Sequence, residues 1–363
     1  MAVLKTLVVA LAVANTPGVL ARLLEPDVFQ VSAFPACDPA TSSGCIEGGK
    51  YLVPELDFGN EDGTGNNAYI KYLPNHTFDT TQWTNGQWPE ICRNISVNSD
   101  SWSAADFTVY NVTFSDCSVP YALCRHKNAP KSLNQIVTEI ARIPIGMRQA
   151  VATYIVYPDD TTNNPTYEGY IGTIAQSGVV VGKSTAYFAT ALVHETGHAV
   201  DTVLVGPVPG VSAFSSTQTW RSAVDRDGYA ISAYGASSGY TEDFADVGRA
   251  VLLDTIFPGG LAAWSGNNQN LTQITNQLAL FKSTAGSYYV TGGTCDLAKK
   301  YPFPSRWVSQ GAPPTTTTNP ATATPYGQCG GFSTYTGPTA CGPGYSCTSL
   351  NPFYSQCTPT PLP

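Results

Sequence analysis

Charge is scarce in this chain. Only 12% of its 363 residues are Asp, Glu, Lys or Arg, the net charge is -8, and the isoelectric point is near 4.9. A surface with no positive excess contacts phosphate backbones and anionic lipid poorly, so nucleic acid and membrane surfaces are disfavoured as partners. Beyond the N-terminus no stretch approaches about 18 consecutive apolar residues, which removes a membrane-spanning helix. No internal repeat is evident, and no two cysteines stand as CxxC, which argues against a thiolate zinc site. Histidine is the scarcest functional residue, with four in all. A pair of carboxylates suited to glycoside hydrolysis is not found outside the region described below.

What is present divides the chain into blocks. Residues 1–21, MAVLKTLVVALAVANTPGVLA, carry one lysine, an apolar run and small residues before Arg22. That pattern is a secretory signal peptide rather than a membrane span, and it predicts a secreted, extracellular protein. Residues 22–311 have the mixed composition of a globular region with a sizeable core. Residues 312–325, APPTTTTNPATATP, contain only Ala, Pro, Thr and Asn. They form a linker biased to extended structure that spans roughly 40 Å at ~3.1 Å per residue. Residues 326–363 are a tiny unit stapled by cysteines.

The ten cysteines fall into an even set of six before the linker and an even set of four after it, as expected of disulfides in a secreted chain. Sequons at Asn75, Asn94, Asn111 and Asn270 predict N-glycosylation.

Residues 22–130 read as loops and short strands. Ser132 is placed to cap a helix that Pro144 ends. Residues 166–182 suggest strands around a glycine-rich turn. The Ala-rich stretch 184–204 predicts a helix stopped by Gly206-Pro207, and 241–257 predicts another, capped by Thr241 and stopped by Phe257-Pro258-Gly259.

Two histidines share the first of those helices, in HETGHAVD (194–201). Residues four apart lie on one helical face, so His194 and His198 can present two imidazoles to one metal ion. Glu195 is placed to accept a proton from a water held there. A catalytic zinc needs a third protein ligand and an open position. YTEDFADVGR supplies Glu242 as that ligand, and Asp246, four residues on, can bond the far nitrogen of His194 or His198. Asp243 is turned away by about 100° and reads as a first-turn acid serving the helix dipole. Gly197 is read as relieving crowding around the site. Asp201 fits either a supporting carboxylate or a solvated turn residue, and His76 and His126 read as surface residues.

HETGHAVD followed by SAYGASSGYTEDFAD (232–246) resembles the lethal-factor-like branch of the zinc metallopeptidases that use a glutamate as third ligand. The resemblance implies zinc held by His194, His198 and Glu242, Glu195 as general base, and Tyr234 donating to the developing oxyanion. Tyr240, two residues before Glu242, stands as a rival for that last role. In such enzymes a strand before the active-site helix pairs with extended substrate, and 170–184 is its candidate here. As a whole the chain also resembles the fungal conidiation-specific protein family, which carries no biochemical role with it.

The stretch YGQCGGFSTYTGPTACGPGYSCTSLNPFYSQC (326–357) resembles the fungal family-1 cellulose-binding module. The resemblance implies three antiparallel strands with disulfides Cys329–Cys347 and Cys341–Cys357. Tyr326, Phe353 and Tyr354 would form an aromatic row on crystalline cellulose, with Gln328 and Asn351 as polar contacts. Tyr345 reads as part of the module's small core.

The expected fold is α+β: a zincin-like domain with a twisted sheet, an active-site helix and a second helical part carrying Glu242, plus the small β module. The expected function is a secreted zinc metallopeptidase tethered to cellulose, with a protein or peptide substrate. Two alternatives stay open, a non-catalytic cell-wall binder and a metal-dependent enzyme acting on polysaccharide or an ester.

Overall fold

The computed structural model describes residues 46, 49–56, 58, 68–84, 86–99, 102–159, 171–174, 178–207, 210, 212–265, 269–301, 304, 307–309, 322–323, 328–331, 338–343, 345–351 and 354–359. The segment read as a signal peptide, Cys37 and Cys45, most of the linker, Tyr326 and Phe353 lie outside those residues. Among the described residues no helix is long and apolar enough to cross a membrane.

A six-stranded mixed sheet forms the frame. The short helix α1 (Ala68–Tyr72) precedes edge strand β1 (Phe78–Gln82). After β2 (Gln87–Pro89) and α2 (Glu90–Arg93) comes the hairpin of β3 (Phe107–Phe114) and β4 (Cys117–His126). At eight and ten residues these two strands are longer than the short strands expected before residue 130. Helices α3 (Leu133–Arg142) and α4 (Ile145–Arg148) lead to β5 (Thr153–Tyr157). Ser132 and Gln135 close a capping box at the start of α3, and the helix ends before Pro144, as expected. Strands β6 (Ile171–Ile174) and β7 (Val179–Lys183) then complete the order β1-β3-β4-β5-β7-β6. β4, β5 and β7 run parallel, and β6 returns antiparallel at the edge.

Alternation along the strands sorts side chains onto two faces. Tyr121, Leu123, Tyr154, Val156 and Val180 join the larger core, while Cys124, Ile155, Tyr157, Val179 and Val181 join a smaller one with Trp88 and Phe107. Parallel central strands covered on both faces read as continuous apolar runs, and TYIVY and VVVGK do so. Disulfides Cys92–Cys124 and Cys117–Cys295 tie distant segments to β4.

The larger core is closed by helices. α5 (Ala189–Ala199) starts five residues later than the expected 184, after a single 3-10 turn at Ser184–Ala186, and continues as a π-turn at Val200–Leu204. Nearly every residue of α5 is buried, the condition of a helix walled on all sides. α6 (Gln218–Asp227), α7 (Ala233–Ser238), α8 (Tyr240–Ile256), α9 (Gly260–Trp264) and α10 (Thr275–Thr284) follow. Gly239, at a φ of 105°, caps α8 in place of the expected Thr241. β8 (Trp307–Ser309) returns to pair with β2.

The small module has β9 (Gln328–Gly331), β10 (Tyr345–Asn351) and β11 (Tyr354–Pro359), antiparallel in the order β10-β11-β9. Its disulfides are Cys329–Cys347 and Cys341–Cys357. Tyr345 packs on the buried cluster of Cys329, Cys357 and Ala323, so its ring is core, as expected. Ala323 lies in the stretch read as linker, yet it bridges to Cys341. Gln328, Asn351 and Tyr354 fall on these strands.

Candidate metal centre

α5 and α8 cross against one another and bring their acids and imidazoles together. His194 Nε2 lies 3.0 Å from Glu242 Oε2, and His198 Nε2 lies 3.2 Å from the same oxygen. The two Nε2 atoms are themselves 3.2 Å apart. Ligands bonded to zinc at about 2.0–2.1 Å in a tetrahedron stand about 3.3 Å from each other. The triangle of atoms is therefore the size of one face of such a tetrahedron. Two nitrogens and one oxygen are also a donor set that zinc accepts.

The surrounding charges favour a cation. Burial works against a charged His194, but the Asp246 and Glu242 carboxylates lift it to about 9. Burial likewise opposes charge on His198, and Glu242 raises it above its ordinary value. Burial would raise Glu242, but hydrogen bonds from both imidazoles hold it well below the usual carboxylate range. A field that draws protons onto two imidazoles draws a divalent ion to the same place.

Asp246 occupies the expected supporting position. Its Oδ1 accepts from His194 Nδ1–H at 2.7 Å, which leaves the Nε2 lone pair facing His198 and Glu242. The same carboxylate accepts from Ser232 Oγ and from Arg249. Ser232 also caps α7, accepting from Gly235 N at 2.9 Å, and α7 carries Tyr234. One serine thus connects the helix of the tyrosine to the carboxylate that orients His194. Ser232 was not singled out from the sequence, although its place two residues before Tyr234 was a signal that could have found it.

Tyr234 stands with its ring 6.0 Å from that of His194 and is 52% exposed. Burial and the Glu242, Glu195 and Asp246 carboxylates push its hydroxyl up to about 12, which keeps it a donor. Tyr240 faces elsewhere: its hydroxyl donates to Asp225 at 2.7 Å, and its ring lies under Arg221. Of the two tyrosines, Tyr234 is the one whose ring lies beside His194.

Glu195 is buried, and its Oε2 accepts from Thr173 Oγ1 on β6 at 2.8 Å. Nothing in the sequence marked Thr173. His198 has no counterpart to Asp246: its Nδ1 finds no partner among the described residues.

Several expectations need correction. Asp243 stands in the first turn of α8, as expected, but it does not face solvent. It is fully buried, accepts from Ile231 N at 2.9 Å, and burial raises it to about 8. Asp201 is no solvated turn residue either; both its oxygens accept from Ser215, at 2.8 Å from N and 2.6 Å from Oγ. His126 is buried rather than surface, wedged between Trp102 and Phe107. His76 is half-buried, 3.5 Å from Asp116. Gly197 serves the helix crossing rather than the ligands, since a Cβ there would meet the Tyr289 hydroxyl at 3.1 Å. Asn75 is exposed, Asn94 and Asn270 are half-buried, and Asn111 accepts from the Trp83 indole at 2.8 Å.

Comparison with known proteins shows the family. The family pattern of conidiation-specific protein Con-13 matches residues 59–291. The chain belongs to the Con-13 family. The pattern of the fungal cellulose binding domain matches residues 325–354, so the Con-13 region is joined to a cellulose-binding module. Conidiation-specific protein 13 of Neurospora crassa is 26% identical over 196 residues, 52% of this chain and 51% of that protein. The chain thus spans about half the length of that relative. An acetylxylan esterase of Coprinopsis cinerea is 68% identical over 41 residues, 11% of each chain. Endoglucanase EG-II of Hypocrea jecorina is 54% identical over 39 residues, 11% of this chain and 9% of that one. No solved structure matches. The module and the disulfides fit an extracellular protein.

Proposed function

We propose that the Con-13 region is a zinc-dependent hydrolase that cleaves peptide bonds, secreted and tethered to cellulose by its C-terminal module. The observation that carries this reading is the convergence of His194 Nε2, His198 Nε2 and Glu242 Oε2 at 3.0–3.2 Å, with Glu195 beside them. His194, His198 and Glu242 would hold the zinc, which when bound lowers the pKa of a water toward ~7 and polarises a carbonyl.

Each neighbouring residue has a part to play. Asp246 keeps His194 in the tautomer that offers Nε2 to the metal. Glu195 takes the proton of the attacking water and returns it to the leaving amine. Tyr234 would donate a hydrogen bond from its hydroxyl to the oxygen on which charge develops. β6, antiparallel at the sheet edge beside α5, supports the addition of an extended peptide as a further strand. The targets of this chemistry would be proteins or peptides that the cellulose-binding module brings within reach.

A second reading keeps the metal and changes the substrate. Relatives of the module include an acetylxylan esterase and an endoglucanase, and a polysaccharide or ester would reach the same centre. Their likeness is confined to the tail, so it supports the address and not the bond cleaved.

The test is hydrolysis of casein-like protein and of soluble cell-wall glycans, with and without chelator. Chelator-sensitive proteolysis that disappears in Glu195→Gln, with zinc retained, is the expected result. Turnover that survives Glu195→Gln, or turnover of glycan alone, would overturn it.

A further inference from the structure

We infer that Thr173, on edge strand β6, is the positioning residue for the Glu195 carboxylate. The inference rests on the hydrolase reading and goes further into the same site. Thr173 Oγ1 lies 2.8 Å from Glu195 Oε2 and 2.8 Å from the Glu195 backbone oxygen. A hydroxyl carries one hydrogen, so it is shared between a carbonyl fixed in the helix and a carboxylate at the end of a flexible side chain. The carbonyl locates the hydroxyl, and the hydroxyl locates the carboxylate. Threonine suits this task because branching at Cβ restricts χ1.

The consequence reaches beyond one hydrogen bond. Thr173 sits opposite Val180 in the β6–β7 ladder, so its height relative to α5 is set by the sheet. Any displacement of β6, including the addition of an extended substrate to the edge that no strand pairs among the described residues, is passed to the carboxylate that must meet the reacting water. A positioning residue that acts through the base changes turnover more than ground-state binding. Without the hydroxyl, Glu195 would keep its identity and its burial but lose its fixed orientation.

The experiment uses full-length zinc-loaded protein and the variants Thr173→Val, Thr173→Ser and Glu195→Gln. The probes are a casein-derived reporter peptide for turnover and a peptide hydroxamate, whose hydroxyl would donate to Glu195, for binding. T173V is expected to lower kcat about tenfold with KM little changed while keeping one zinc per chain, and T173S is expected to restore most of the loss. In a Glu195→Gln background, T173V should cause no further loss of hydroxamate affinity, because the two groups act as one unit. An undiminished kcat in T173V, or an equal loss of affinity in both backgrounds, overturns the inference. Crystal structures of wild type and T173V give a readout free of activity. Glu195 displaced only in the variant supports the inference, and Glu195 unmoved overturns it. Should the wild type neither cleave nor bind the hydroxamate, the hydrolase reading fails, and those two structures still decide what Thr173 does for Glu195.

Discussion

At the scale of the residue, the grouping of His194, His198 and Glu242 was legible because its pattern is local. Two histidines four apart and two acids four apart each fall on one helical face whatever the rest of the fold does. What supports them was not legible, because it comes from chain neighbours far away. Thr173 reaches Glu195 from another strand, and Ser232 reaches Asp246 from a cap. His126 shows the same limit. The sequence placed it at the surface, but β4 carries it inward, where its Nδ1 accepts from Asn128 N at 3.2 Å. Burial holds His126 below its ordinary value of 6.5, although Asp106 partly offsets this. Between its folded value and 6.5 the unfolded chain binds the extra proton. Stability present above pH 6.5 is therefore lost as pH falls toward the folded value. Urea unfolding from pH 7.5 to 5 should show that slope in the wild type and a flatter one in His126→Phe. Identical slopes would refute it.

At the scale of the element, periodicity and stop signals placed α5 and α8, and glycine-bounded apolar runs placed β6 and β7. The crossing of α5 and α8 was hidden, because it depends on a third partner. Tyr289 inserts its hydroxyl where Gly197 and Gly248 leave space; a Cβ on Gly248 would stand 2.7 Å from that oxygen. Among the described residues the hydroxyl has no hydrogen-bond partner. The ring itself packs on Phe281, 5.0 Å between centroids, and Phe281 packs on Phe244 of α8. Gly197→Ala should cost about 1–3 kcal/mol through crowding. Tyr289→Phe alone should stay within about 1 kcal/mol of wild type, since it removes a group without a partner. Combined, the two should cost clearly less than their sum, because the crowded atom is gone. Additive thermal-unfolding penalties would show that the crowding lies elsewhere.

At the scale of the whole molecule, a Con-13 region and a cellulose-binding module share one chain. The strands and cysteine pairing of the small module were legible, because so short a chain has little interior and is held by its disulfides. Its disulfide pairing formed as the resemblance implied. The large region was legible only as α+β, because strand order depends on long-range pairing that no local pattern announces. If the module carries the protein to cellulose, replacing Tyr326, Phe353 and Tyr354 together by Ala in the full chain should release it. Affinity for microcrystalline cellulose should fall at least about tenfold, or ~1.4 kcal/mol, while hydrolysis of a soluble substrate stays unchanged. Undiminished partition onto cellulose would place the binding surface elsewhere.

The metal remains the hinge of the functional reading, and it is open to direct measurement. Purified full-length protein, assayed for metal by plasma mass spectrometry, should contain one zinc per chain. Glu195→Gln should keep that zinc, and His194→Ala and Glu242→Ala should each lose most of it. A correctly folded wild type with zinc far below one per chain after incubation with the ion, or full zinc retention in both ligand variants, would contradict the assignment of His194, His198 and Glu242 as its site.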